Sequence, residues 1–393
     1  MLLISCAPFA QNAADVAAAT APTTAPATQP TSLAAAYKDD FLVGVATDFN
    51  DMRPLTPQEL SIITTHFNVI TPENSMKPQS VHPAEDRWSW EGADRLVEFC
   101  QSNGIAIIGH TLCWHGQTGR WFFEGENGQP VTREKAIERL RQHTSTEVGR
   151  YKGKIKGWDV VNEAISDRGP ADTENLRSSD WFRAIGPDYI NLAFKFAHEA
   201  DPNAELYYND YNIEKGIKHQ NSLLLLKRLI REGVPITGVG IQGHWGLNNL
   251  PYAELERSIE EYQALGLRVN ITEMDITITG QGGGQLTPSP TTAPAEVGGP
   301  ATGPTTTPLR GRGFGGPRGP VAPPTREQLE AQATAYARFF EIFQKHADAI
   351  DRVTIWGLND ARSWRPGQAP LLFDGANKPK PALEAILAAK HRQ

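Results

Sequence analysis

The chain has 393 residues, 39% hydrophobic and 21% charged, and contains no apolar run of the roughly 18 residues that a membrane span needs. A formal charge of −7 without a basic stripe excludes nucleic acid and an anionic membrane surface as main partners; a neutral substrate fits better. The length allows one large α/β barrel, which commonly takes about 250 residues or more.

The first residues, MLLISC, resemble the tail of a bacterial lipoprotein signal that lacks its basic start. A truncated export signal, and hence a secreted protein or an outer-surface lipoprotein carrying Cys6, is one expectation; a start without consequence is the other. Residues 7–36 are rich in Ala, Thr and Pro and read as a linker, which together with the signal makes a first segment of residues 1–36. From residue 37 to 393, short β-branched runs alternate with longer helical patterns, as in a parallel sheet built of βα units. Strands are expected at Phe41–Thr47, Phe67–Thr71, Ile105–His110, Gly157–Val161, Leu206–Asn209, Thr237–Gln242, Arg268–Thr272 and Arg352–Trp356. Helices are expected at Gly92–Ser102, Arg133–Gly149, Asp188–Ala200, His219–Glu232, Tyr252–Leu265 and Glu327–His346. Eight such repeats predict a (β/α)₈ barrel, a single α/β catalytic domain. It is interrupted after the seventh strand by a Gly/Pro/Thr-rich insertion at 280–325, expected to be disordered and to act as a flap or tether beside the site. Cys6, Cys100 and Cys113 match no zinc pattern, and a Cys100–Cys113 bridge stays open.

In such a barrel the chemistry lies at the C-terminal strand ends, and polar residues follow nearly every apolar run. Glu73, Asn74 and Lys77 follow the second strand; His110, Trp114 and His115 the third; Asn162 and Glu163 the fourth. Asn209, Asp210, Tyr211 and Asn212 follow the fifth; Gln242, His244 and Trp245 go with the sixth; Glu273 and Asp275 with the seventh; Trp356, Asn359, Asp360 and Trp364 with the eighth. A single glutamate at a strand end is more often structural than catalytic. The pair Glu163 and Glu273 says more, because strands four and seven face each other across the mouth and glycosidic cleavage needs two carboxyls flanking one bond. One would be kept protonated to donate to the leaving oxygen, and the ionised one would stabilise or attack the anomeric carbon. His244 suits a partner of Glu273, although a satisfied core imidazole reads the same. Trp114, Trp356 and Trp364 could cover sugar faces, whereas Trp88, Trp90, Trp158 and Trp181 read as packing. Glu73, Asn74 and Lys77 form a polar trio suited to ring hydroxyls.

Seven segments in order resemble glycoside hydrolase family 10: FNVITPENSMKP (Phe67–Pro78), GHTLCWH (Gly109–His115), WDVVNEAI (Trp158–Ile165), YYNDYNIE (Tyr207–Glu214), GIQGHW (Gly240–Trp245), ITEMDI (Ile271–Ile276) and WGLNDARSW (Trp356–Trp364). The resemblance implies a retaining endo-1,4-β-xylanase with Glu163 as acid/base and Glu273 as nucleophile. It implies that Asn162 binds the 2-hydroxyl of the sugar being cleaved, that His244 orients Glu273, and that Gln242, His110 and Trp114 line the same subsite. Glu73, Asn74 and Lys77 would hold the next sugar toward the non-reducing end, Trp356 and Trp364 would form an aromatic wall, and Tyr211 and Asn212 would lie on the leaving-group side. The expected partner is xylan or xylo-oligosaccharide, with no nucleic acid, no cofactor, no metal and a monomeric chain. GQTGRW at Gly116–Trp121 lacks the Pro usual after the Trp-His pair, so a differently shaped loop is expected there. The alternatives are a β-1,4-glycanase acting on glucans or aryl glycosides, a non-catalytic carbohydrate-binding barrel and a metal-dependent barrel hydrolase. Against the last, the chain lacks the His-x-His that many such hydrolases carry on their first strand.

Overall fold

The computed structural model describes residues 32–50, 52–278 and 323–390. In chain order the strands are β1 (Leu42–Ala46), β2 (Val69–Thr71), β3 (Ala106–Trp114), β4 (Gly157–Asn162), β5 (Glu205–Asp210), β6 (Gly238–Ile241), β7 (His244–Gly246), β8 (Arg268–Thr277) and β9 (Ile350–Ile355). The helices are α1 (Leu33–Ala36), α2 (Pro57–His66), α3 (Pro78–Val81), α4 (Glu91–Asn103), α5 (Arg133–Arg150), α6 (Asp180–Ile185), α7 (Tyr189–Ala200), α8 (Gly216–Arg231), α9 (Tyr252–Gln263), α10 (Arg326–Lys345) and α11 (Pro381–Ala389).

Strands β1 to β6, β8 and β9 pair side by side in parallel, and pairing of β6 with β8 closes the ring. This is the expected (β/α)₈ barrel. The strands form because runs such as VVN in β4 and GVGI in β6 are buried throughout, as a parallel sheet covered on both faces requires. Helix starts carry their own signals. Thr56 caps α2 in a reciprocal box with Glu59, and Thr325 caps α10 in the same way with Gln328. Gly104 ends α4 in the left-handed conformation. Gly109 in β3 leaves room for Trp158: a Cβ there would lie 2.1 Å from the indole, so only glycine lets β3 and that ring approach.

Several expected boundaries move. Ser32–Ala36, assigned to the linker by composition, belong to the fold: Ser32 caps α1, and Leu33 and Tyr37 are buried. The Tyr37 hydroxyl donates to the Ile386 carbonyl at 2.9 Å, its ring packs on Phe41 and Phe340, and Lys390 pairs with Asp40, so the two described ends of the chain meet. β3 runs four residues past His110, and β8 five past Thr272. A short β7 adds onto the mouth side of β8. Cys100 and Cys113 do not bridge; both thiols are free and buried, and burial pushes Cys100 up to about 12. The MLLISC start with Cys6, the linker up to residue 31 and the insertion from 280 to 322 lie outside the described residues.

Candidate active site

Glu163 directly follows β4 with φ +57°, a left-handed backbone that a non-glycine residue adopts at a cost of about 1–2 kcal/mol. Its N–H donates to the Asn209 carbonyl at 2.8 Å, which anchors the turn to the end of β5. Glu273 lies within the extended part of β8, its N–H bonded to the Gln242 carbonyl at 2.8 Å.

One chain of amides joins the two carboxylates. Asn209 Nδ2 donates to Glu273 Oε1 at 2.7 Å and to Asn162 Oδ1 at 3.0 Å; Asn162 Nδ2 donates to Glu163 Oε1 at 3.3 Å. Gln242 Nε2 donates to Glu163 Oε1 at 2.9 Å and to Asn162 Oδ1 at 3.3 Å. Reversing the Asn162 amide would bring its oxygen to the Trp114 N–H at 3.2 Å and its NH₂ to the Asn209 carbonyl at 3.1 Å, but would set that NH₂ against those of Asn209 and Gln242 and its oxygen against Glu163 Oε1, so the orientation with the oxygen between two donors is preferred. Glu163 and Glu273 thus stand no more than two amide side chains apart.

The outer oxygens are held separately. Trp114 Nε1 donates to Glu163 Oε2 at 2.9 Å, and His115 Nδ1 lies 3.8 Å from the same atom. His244 sits between Glu273 Oε2 at 3.2 Å and Asp275 Oδ2 at 3.1 Å. Burial works against the charged imidazole, but Asp275 and Glu273 prevail and push it up to about 9, so His244 is an imidazolium at neutral pH. Trp364 donates to Asp275 at 2.8 Å and lays its ring against His244, with 37% of the residue still exposed to the cleft.

Glu163 is less simple. Burial pushes its carboxyl up; charged His115, hydrogen bonds from Gln242 and Trp114, and Lys218 together pull it below the ordinary range. His115 exerts that pull only while protonated, and burial lowers its own pKa despite Glu163. The hydrogen bonds from Gln242 and Trp114 and the charge of Lys218 pull in the same direction without it. Burial does not prevail, so Glu163 departs from the expectation of a carboxyl kept protonated by its surroundings.

On the opposite side of Trp114, Lys77 donates to Gln117 at 2.9 Å and to Asn74 at 3.3 Å, with its ammonium 5.0 Å from the Trp114 ring. Asp48 fixes this turn by accepting from the N–H groups of Asn74 and Ser75 at 3.1 and 2.9 Å. Burial and then Asp48 raise Glu73 to about 7, and burial lowers Lys77 against the surrounding carboxylates. Both groups move toward neutrality, which suits uncharged hydroxyls. A hollow of about 210 Å³ opens beside Glu73 and Asn74, walled by Asp48, Asn50, Arg53 and Arg362. A larger one of about 440 Å³ lies at the N-terminal strand ends near Ala106, Lys154 and Glu205 and contains none of these groups; the paired carboxylates, not volume, mark the site.

His110 is buried edge-on against Trp356, ring centres 5.2 Å apart. Tyr211 donates to Asp167 at 2.6 Å and accepts from Arg177 at 3.1 Å; Arg177 in turn reaches the Glu163 carbonyl at 3.1 Å. Asn212 follows, half-buried, with φ +56°. All fourteen expected site residues therefore gather at one mouth. Sequence reasoning missed Gln117 and Asp48 and did not single out Asn209; Asn209 alone carried a signal, its place in the run of polar strand ends. Trp158 and Trp181 are core, as expected, while Trp88 stacks on His82 and Trp90 at the edge of the core. Among the described residues, the one group of side chains with metal-ligand spacing is Glu256, Glu260 and His346 on the outer helices, and Glu256 is already engaged by Lys345 and His346.

Residues 32–389 match the family profile described as Glycosyl hydrolase family 10. The chain is 38% identical over 366 residues to endo-1,4-beta-xylanase A of Caldicellulosiruptor saccharolyticus, covering 91% of this chain and 95% of that protein. It is also 38% identical over 365 residues to the endo-1,4-beta-xylanase of Geobacillus stearothermophilus, covering 91% and 98%. The solved structure of an endo-1,4-beta-xylanase from Caldicellulosiruptor owensensis superposes with a TM-score of 0.76 at 36% identity, covering 91% of this chain and 99% of that one.

Proposed function

Because the chain belongs to glycosyl hydrolase family 10, we propose that it is a retaining endo-1,4-β-xylanase with Glu273 as nucleophile and Glu163 as acid/base. The observation that carries the assignment of roles is the amide chain Asn209–Asn162 joining two carboxylates with different surroundings. Glu273 has both oxygens held by donors, Asn209 and the charged His244, and is presented as an acceptor-only carboxylate aimed at an anomeric carbon. Glu163 shares its environment with a titrating imidazole, so it can hold a proton in one step and lack it in the next.

In the first step a Glu273 oxygen bonds to the anomeric carbon of a β-1,4-linked xylosyl unit as the glycosidic bond breaks and the Glu163 proton goes to the leaving oxygen. In the second, Glu163 takes a proton from water, whose oxygen displaces Glu273 and restores the starting configuration. Asn162, Gln242, His244, His110 and Trp114 surround the sugar being cleaved. Glu73, Asn74 and Lys77 take the hydroxyls of the next one, Trp356 and Trp364 cover ring faces, and Tyr211 and Asn212 flank the leaving group. Export and a monomeric state belong to the same proposal, and a substrate polymer too large to cross a membrane supports the export.

Proton NMR of early products from xylan tests the reaction: the β-anomer appears first, and the α-anomer first would reject retention. Glu273→Ala should lower kcat on the order of 10⁴-fold or more while xylo-oligosaccharide binding persists. Glu163→Ala should spare aryl glycosides with good leaving groups in the first step; equal damage to those and to xylan would remove it from the role of acid. Products from arabinoxylan, glucuronoxylan and cellulose compared side by side separate xylanase from glucanase activity.

A further inference from the structure

Beneath the mouth the barrel interior holds a charged pair that the reaction does not use. Asp159 on β4 and Arg352 on β9 are each 1% exposed, and Arg352 Nη2 donates to Asp159 Oδ1 at 3.3 Å. The guanidinium lies over the Tyr207 ring, 5.3 Å from its centre, and its Nη1 donates to Thr354 at 3.4 Å. Barrel interiors are ordinarily filled by branched apolar side chains. A buried ion pair gains little stability over such a filling, because desolvation offsets the attraction. The pair therefore calls for a reason other than packing.

The other oxygen of Asp159 supplies one. Asp159 Oδ2 lies 2.9 Å from His110 Nδ1, and the two residues are direct partners in the β3–β4 register. The Thr111 hydroxyl donates to the Asp159 carbonyl at 2.7 Å and fixes the backbone at this point. The Arg352 guanidinium can only donate and is ion-paired with Asp159, which meets it as a carboxylate that can only accept. His110 must then donate from Nδ1. A neutral imidazole so committed carries its lone pair on Nε2, and no described residue bonds to that nitrogen.

We propose that Asp159 and Arg352 are positioning residues: they fix His110 in the Nδ1–H tautomer, so that a bare Nε2 faces the cleft and accepts a hydrogen bond from a sugar hydroxyl. This rests on the reading of the mouth as a xylan site, since His110 is one of its sugar-facing groups. Arg352 also dictates the outcome of the closest substitution. In Asp159→Asn the guanidinium retains the amide oxygen, the NH₂ turns to Nδ1, and the imidazole must move its proton to Nε2, exchanging an acceptor for a donor.

Nitrogen-15 NMR of histidine-labelled protein reads this directly, with the His110 signals assigned by their loss in His110→Gln. At about pH 8, above the ordinary imidazole pKa, the wild type is expected to show a protonated Nδ1 and an unprotonated Nε2, and a proton on Nε2 overturns the proposal without any variant. Asp159→Asn is expected to reverse the two signals and to lower kcat/KM on xylohexaose about ten- to a hundredfold, the usual range for such supporting groups. Asp159→Glu keeps an acceptor and should retain the wild-type signals with a smaller loss. A fall in activity or stability in Asp159→Asn without reversal would make the pair merely structural and also overturns it. If the wild type fails to cleave xylan, the functional reading falls, while the NMR signals still decide the tautomer.

Discussion

The imidazolium of His244 is wedged between Glu273 and Asp275. Its folded pKa of about 9 lies above the 6.5 of a free imidazole. A raised pKa of this kind adds stability that is fully present below pH 6.5 and is lost as pH rises through about 9. With the side chain 5% exposed, the contribution is on the order of 3 kcal/mol. Urea unfolding of the wild type between about pH 6 and 10 should show that decline, and His244→Gln should flatten it; a flat wild-type profile would mean the ring is uncharged. At this scale much of the site could be read in advance. Glu163, Glu273, His244 and the Asn74–Lys77 turn each stand at the end of an apolar run. Gln117 could not be, because its place depends on how the loop after β3 folds back onto Lys77. Asp159 and Arg352 lie inside strands, where a charge usually signals the solvent face, and only barrel closure brings them together.

Elements carry the loop that walls the hollow beside Glu73. Arg362 forms a two-pronged pair with Glu59 of α2, and donates to the carbonyls of Arg53 and Pro54 at 3.0 and 2.8 Å. Burial would raise the Glu59 carboxyl, but Arg362 together with the Thr56 N–H and hydroxyl outweighs it and brings it to about 2. A depressed pKa stabilises the fold above the ordinary carboxylate range and ceases to do so as pH falls toward 2. Arg362→Ala should therefore cost about 3 kcal/mol near neutrality, less in acid, and should raise KM for long oligosaccharides more than it lowers kcat. An unchanged urea midpoint at pH 7 would contradict this. Strand ends were the least legible elements: β3 and β8 continue through His110–Trp114 and Glu273–Thr277, where buried polar side chains break the apolar pattern that marks a strand. Helix α2 was not anticipated, since Glu59, Ile62 and Ile63 are its only buried residues; its capping box, TPQE at Thr56–Glu59, was the available signal.

For the whole molecule, the alternation of eight β-branched runs with helices was enough to name the barrel, because parallel strands joined by helices have few ways to bury both faces. The far side of the barrel from the mouth was harder to foresee. Composition placed Ser32–Ala36 in the linker because four of the five residues are small, and Leu33 is the one large side chain that seats the segment. Tyr37 then ties the first strand's approach to α11. With both described ends stapled to each other, the fold is topologically a ring whose present opening is one cut among several. A circular permutant that joins residues 32 and 390 by a short glycine linker and is re-cut within the 281–322 stretch should keep the parent's kcat on xylo-oligosaccharides within about threefold; an inactive but folded permutant would show that the native cut matters. The same arrangement lets a cargo domain be joined at residue 32 or 390 on the side facing away from the polymer, so that such fusion partners leave the substrate's path along the mouth unobstructed.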